Sequence, residues 1–177
     1  MNEHEATMQF EQAILPHLDA AYNLARWLTG NDQDAQDVVQ DASLRALKFF
    51  SGFRGGSSRA WFLTIVRNSF YNWLEKNRPF EVNTAGDEEL LAVEDPSVNP
   101  KLLIARSANV EAVRGAIGQL PVEFREITVL RELEECSYKE IADIAGVPIG
   151  TVMSRLARAR NQLQEILTRT SGPGGLP

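Results

Sequence analysis

Phe10, Ile14, Leu18, Ala21, Ala25 and Leu28 recur at three- and four-residue steps, which places them on one face of an α-helix. Gly30-Asn31 ends that pattern. Asp32 and Asp34, favoured at a helix N-terminus by its dipole, open a second helix with a core stripe of Ala35, Val38, Ala42 and Phe49. Ser51 to Ser58, SGFRGGSS, reads as a glycine- and serine-rich loop. A third helix is predicted from Arg59 to Asn77, with Phe62, Ile65, Val66, Ser69 and Trp73 inward and Pro79 closing it. Residues 80–100 hold Gly86, Pro96, Pro100 and six acids without an apolar period, the composition of a flexible acidic linker. Helical patterning resumes at Lys101 and lasts to Gly118. Leu120-Pro121 makes a turn, with Pro121 suited to the first position of a helix reaching Glu134. Two more helices precede SGPGGLP, a tail too rich in glycine and proline to pack. Strand-period alternation and internal repeats are absent. The expected fold is all-α: two small helical domains, 1–79 and 101–170, a linker at 80–100 and a disordered tail at 171–177.

The last two helices carry the clearest local chemistry. Ser137-Tyr138-Lys139-Glu140 has the spacing of a capping box, and Ile141, Ala142 and Ala145 line the inner side of the short helix it opens. Gly146 stands where the chain must turn, and Val147-Pro148 fixes the exit. A longer helix starts near Gly150 on a core stripe of Val152, Leu156, Ala159, Leu163 and Ile166. Short helix, glycine turn and longer helix make a helix-turn-helix, whose second helix enters the major groove. Thr151, Ser154 and Arg158 group roughly opposite the core stripe, with Arg155 on the border, a face able to meet base edges and phosphates together. A helical hairpin with a solvated basic face would share the periodicity. The capping box, the glycine turn and the clustered arginines together favour DNA reading.

The net charge of −6 over 177 residues looks wrong for such a role until it is divided along the chain. Residues 1–53 carry −5, 54–80 carry +4, 81–100 carry −6, 101–149 carry −2 and 150–177 carry +3. Two basic segments thus sit in an acidic chain. Phosphate attraction acts over about 8 Å in physiological salt, so local sign outweighs the total. The acidic total still predicts weak DNA binding by the chain alone. A single cysteine, Cys136, excludes an internal disulfide and a thiolate zinc cluster; a buried, inert thiol is the simpler reading and a redox role the alternative. His4 and His17 lack a metal-binding or catalytic spacing, and no Walker-type phosphate loop is present, so neither enzyme chemistry nor a cofactor is expected. The absence of a long apolar run and the polar, acidic start, Met1 to Thr7, predict a cytoplasmic protein without membrane insertion.

YKEIADIAGVPIGTVMSRLARAR (138–160) resembles the −35-reading helix-turn-helix of extracytoplasmic-function (ECF) sigma factors, of the sigma-70 family. DAQDVVQDASLRA (34–46), FRGGSSRAWFLTIVRN (53–68) and LPVEFREITVLRELEECSY (120–138) are similar to other segments of the same family, in the same order. The resemblance implies a subunit that binds core RNA polymerase, recognises −10 and −35 promoter elements and starts transcription. It places the helix at 34–48 on the beta-prime clamp helices, where Asp37, Gln40, Asp41 and Leu44 project away from the core stripe. It places the C-terminal domain on the beta flap and on −35 DNA through Thr151, Ser154, Arg155 and Arg158. The loop at 52–58 and the helix after it would capture and melt the −10 element through Arg54, Arg59, Trp61, Arg67, Asn68, Tyr71 and Arg78. Cations and flat rings are what an unstacked strand needs. Trp61 lies between core and surface, so base stacking and core packing are both open to it.

One departure is visible. Where relatives often carry an Asp and an arginine cluster, this chain has Asn72-Trp73-Leu74-Glu75-Lys76-Asn77-Arg78, so duplex melting would lean more on the polymerase or on a different −10 sequence. The acidic linker would follow the polymerase channel later used by RNA. Family habit also implies an anti-sigma partner that hides the polymerase surfaces. Two competing readings are a stand-alone helix-turn-helix regulator, which leaves residues 34–78 without a role, and a sigma-mimicking decoy for an anti-sigma factor, which leaves the Thr151, Ser154, Arg155, Arg158 face without one.

Overall fold

The computed structural model describes residues 2–78 and 110–170. The linker at 80–100, the closing role of Pro79, the pattern at 101–109 and the tail at 171–177 fall outside them. Every regular element among the described residues is helical. The chain divides into two compact units, the first holding the helices of residues 2–78 and the second those of residues 110–170 except 143–146.

In the first unit, α1 spans Glu3–Ile14 behind a capping box made by Asn2 and Glu5. The single helix expected from Phe10 to Leu28 is broken: a 3-10 turn at Leu15–His17 separates α1 from α2, Leu18–Thr29. Pro16 is the cause, since its ring cannot donate to the α ladder and clashes with the preceding turn. Ile14, Ala21, Ala25 and Leu28 are buried as expected, while Phe10 and Leu18 are only half-buried. Gly30 (φ 88°) leaves α2 in the left-handed region, and the Asn31 side chain accepts from the Asp34 N–H at 2.8 Å to start α3, Asp32–Phe49. Arg26 donates to Asp32 at 2.7 Å and Tyr22 donates to the same carboxylate at 3.0 Å, fastening the turn.

The α3 stripe is Ala35, Val38, Ala42 and Ala46, not Phe49. Phe49 is in phase with that stripe but is the last residue of the helix and lies exposed beyond its core. A 3-10 turn at Phe50–Gly52 leads to α4, Ser58–Asn77, which Ser57 caps by accepting from Ala60 N–H at 3.1 Å. The buried side of α4 is Phe62, Leu63, Val66, Ser69, Phe70 and Leu74. The helix is therefore rotated from the expected phase, and Ile65 and Trp73 are only half-buried. Alanines on α2 and α3 let these helices close on each other, and the larger Phe62, Leu63 and Phe70 of α4 fill the space against them.

The second unit begins with α5, Val110–Gln119, then α6, Val122–Thr128, capped by Pro121 one residue before its expected place. The helix widens into a π turn at Val129–Leu133, and Glu135 takes a left-handed φ of 55° where the chain leaves it. Helix α7 is Tyr138–Ala145 and α8 is Ile149–Thr170. Val152, Leu156, Ala159 and Leu163 of α8 are buried as expected; Ile166 is half-buried. Helix α8 packs along α5 and α6, which orients its remaining faces.

Candidate nucleic-acid interface

The helix-turn-helix is assembled by local bonds that the sequence announces. Ser137 Oγ accepts from Glu140 N–H at 3.1 Å, and Glu140 Oε1 accepts from Ser137 N–H at 3.2 Å, so both halves of the capping box form. Gly146 turns at φ 67°, and the Val147 N–H donates to the Ala142 carbonyl at 3.1 Å. Upstream, the Cys136 N–H donates to the Leu130 carbonyl and Arg131 donates to the Cys136 carbonyl, both at 2.9 Å. The Arg131 guanidinium also lies 4.5 Å from the centre of the Tyr138 ring. These contacts tie the entrance of α7 to the end of α6. Cys136 is fully buried, as a packed thiol should be.

On α8, Thr151, Arg155 and Arg158 are half-buried. Ser154 differs from the expected open donor. It is buried, and its hydroxyl donates to the Thr151 carbonyl at 3.1 Å. A serine bonded back to its own helix has little left for a base edge.

In the first unit the loop before α4 keeps Arg54, Gly55 and Gly56 in the open, both glycines at positive φ (88° and 84°). Its base is aromatic. Phe50 stacks on Phe53 (5.8 Å), Phe53 meets Trp61 (5.2 Å) and Phe10 of α1 stands edge-on to Phe50 (5.5 Å). Trp61 is thus half-buried within a ring cluster, at the margin expected of it. Further along α4, the Arg67 guanidinium lies 4.5 Å from the Tyr71 ring and Arg78 lies 5.5 Å from the Trp73 ring. Asn68 is exposed beside Arg67, and Arg59 is half-buried in the first turn. Arginine over a ring keeps the guanidinium flat and partly desolvated, the state in which it stacks or pairs best.

Sequence reasoning placed Trp73 inside and so missed it as a surface ring. The spacing of Leu63, Phe70 and Leu74 was the signal that sets the true phase. On α3, Leu44 is 63% exposed, with Asp37 and Gln40 open and Asp41 bonded to Arg45 at 2.8 Å. Leu47, 53% exposed and one turn on, extends the same apolar ridge and was also missed. Among the described residues no cluster of three metal-ligating side chains occurs, and no helix is long and apolar enough to cross a membrane.

A cationic, aromatic helix face in one helical unit and a helix-turn-helix in another are the parts of a two-element DNA-reading transcription subunit. Residues 13–80 match Sigma-70 region 2 and residues 111–163 match Sigma-70, region 4. The chain is 30% identical to the ECF RNA polymerase sigma factor SigE of Mycolicibacterium smegmatis over 170 residues, 96% of this chain and 65% of that protein. It is 34% identical to the ECF RNA polymerase sigma-E factor of Escherichia coli over 148 residues, 77% of each. Among solved structures, the sigma factor RpoE in complex with the anti-sigma factor NepR, from Bartonella quintana, is similar at a TM-score of 0.68 and 31% identity, covering 90% of this chain and 96% of that one. The chain belongs to the ECF sigma factors, non-enzymatic subunits of transcription initiation.

Proposed function

We propose that this chain gives bacterial core RNA polymerase its promoter choice in the cytoplasm, through a −10 domain at 1–79 and a −35 domain at 101–170 tethered by residues 80–100. The observation that carries the reading is the helix-turn-helix of α7 and α8, with its capping box closed at both bonds and Thr151, Arg155 and Arg158 only half-buried on the second helix. Arg155 and Arg158 supply the guanine- and phosphate-directed contacts, Thr151 adds a short donor, and Ser154 contributes least because its hydroxyl is engaged.

In the first unit the Asp37, Gln40, Asp41 and Leu44 face of α3 docks on the beta-prime clamp helices, and the second unit meets the beta flap. An exposed leucine ringed by polar groups suits a buried anchor with a polar rim. The loop with Arg54 and the α4 residues Arg59, Trp61, Arg67, Asn68, Tyr71 and Arg78 hold the melted −10 strand. Binding the unpaired strand offsets the cost of opening the duplex, while the polymerase supplies catalysis and metal ions. Each DNA contact is modest, and the tether makes the second one effectively intramolecular once the first has formed. RpoE was solved in complex with the anti-sigma factor NepR, and CnrH in complex with the cytosolic domain of CnrY, which supports an anti-sigma partner for this chain too.

Run-off transcription with core polymerase and a genomic promoter library tests the reading. Arg155→Ala and Arg158→Ala are each expected to lower output at the recovered promoters by about tenfold, the lower range for a lost base contact, with core binding unchanged. Normal output from both variants contradicts the −35 assignment.

A further inference from the structure

We infer that His17 is a positioning residue for −10 strand capture, holding the first turn of α4 in place through Ser58; the inference rests on the reading of α4 and its preceding loop as the −10 interface. Helix α4 is already capped by Ser57, whose hydroxyl accepts from Ala60 N–H. The neighbouring Ser58 hydroxyl is therefore not needed by its own helix, and it bonds instead to His17 Nε2, 41 residues away, at 3.1 Å. His17 is brought there by Pro16: the 3-10 turn at Leu15–His17 ends α1 and swings the imidazole toward α4. The ring is half-buried, and Arg59, the next residue after Ser58, is close enough to act on it electrostatically.

The consequence lies in what the first turn of α4 carries. Arg59 and Trp61 follow Ser58 directly, and Arg54, Gly55 and Gly56 precede it in an open loop. Residues 54–57 are exposed, so this loop is fixed mainly at its two ends. The Phe50, Phe53 and Trp61 cluster, braced by Phe10, joins the two ends across the base of the loop, and the His17–Ser58 bond adds a second tie at the α4 end. Helix ends fray readily, and capture of an unstacked base requires donors and rings already in place. Losing the bond frees the turn without removing a DNA contact. Phe10 also precedes the segment that matches region 2, so part of this brace is supplied by α1, outside the matched residues.

The test uses holoenzyme assembled from core polymerase and the full chain. Its DNA is a promoter recovered by the wild-type holoenzyme, with 2-aminopurine in the −10 strand to report unstacking. His17→Ala and Ser58→Ala are each expected to lower the opening equilibrium about fivefold, the effect of one net hydrogen bond. His17→Gln, whose amide can meet the Ser58 hydroxyl, should stay within about twofold of wild type, and all three should keep wild-type core affinity and helicity. Arg67→Ala is the direct-contact control. Wild-type opening in His17→Ala and Ser58→Ala overturns the inference, as does a His17→Gln defect equal to that of His17→Ala, or a parallel loss of core affinity or helicity. If Arg67→Ala lowers opening while His17→Ala does not, only the positioning role fails. If Arg67→Ala also opens normally, the −10 reading fails with it.

Discussion

His17 and Asp32 show how single side chains set the acid response of the first unit. Burial, and then the nearby Arg59 charge, hold the His17 pKa below its usual 6.5. The unfolded chain therefore takes up this proton more readily than the native one. The corresponding stability is present above the unfolded value and is lost as pH falls through the native one. Thermal unfolding should show a midpoint that drops between about pH 7.5 and 5.5, with a smaller drop in His17→Gln. An equal drop in both proteins would mean that another group carries it. Asp32 acts in a lower window: the bonds from Tyr22 and then Arg26 hold its carboxyl below the usual aspartate value, so its contribution is lost only at stronger acidity. At this scale the sequence was informative where geometry is local. The Ser137–Glu140 box and the Gly146 turn follow from neighbours in the chain. The His17–Ser58 bond joins residues 41 apart, and the Ser154 hydroxyl turns back on its own helix. Spacing alone encodes neither.

Helix α3 illustrates what periodicity decides and where it stops. Ala35, Val38 and Ala42 were legible as core, because apolar residues at helical spacing mark the one face that a helix turns inward. Phe49 kept the phase yet ended exposed, since a helix can outrun the neighbours that would cover it. The opposite ridge, Leu44 with Leu47, was half-seen: Leu44 stood out among Asp37, Gln40 and Asp41, but Leu47 did not. Leu44→Asp is expected to weaken core-polymerase binding about tenfold or more, as for loss of an interface anchor. Unfolding should change little, because the side chain is 63% exposed. A binding titration alongside a melting curve checks both, and unchanged affinity would remove α3 from the interface. Helix α4 was misphased because Ile65 and Trp73 gave an acceptable stripe alongside Phe62 and Val66. Packing against α2 and α3 selects the competing stripe of Leu63, Phe70 and Leu74 instead. The Pro16 break was readable in principle, as a proline inside a helical run should end or kink it.

For the whole molecule, the division into two helical units and the family were legible from composition, punctuation and four collinear motifs. The net charge of −6 conceals +4 over residues 54–80 and +3 over residues 150–177, the segments that contain the two faces proposed to meet DNA. Such a distribution fits a chain that binds DNA weakly alone and well when a polymerase supplies the remaining cationic surface. Promoter footprinting with chain alone, core alone and the two combined tests that dependence most directly. The account predicts protection at both −10 and −35 only in the combination, with Arg158→Ala losing the upstream block and Arg67→Ala the unpaired downstream one. Equal protection by the chain alone, or a combination that protects no promoter, would contradict it.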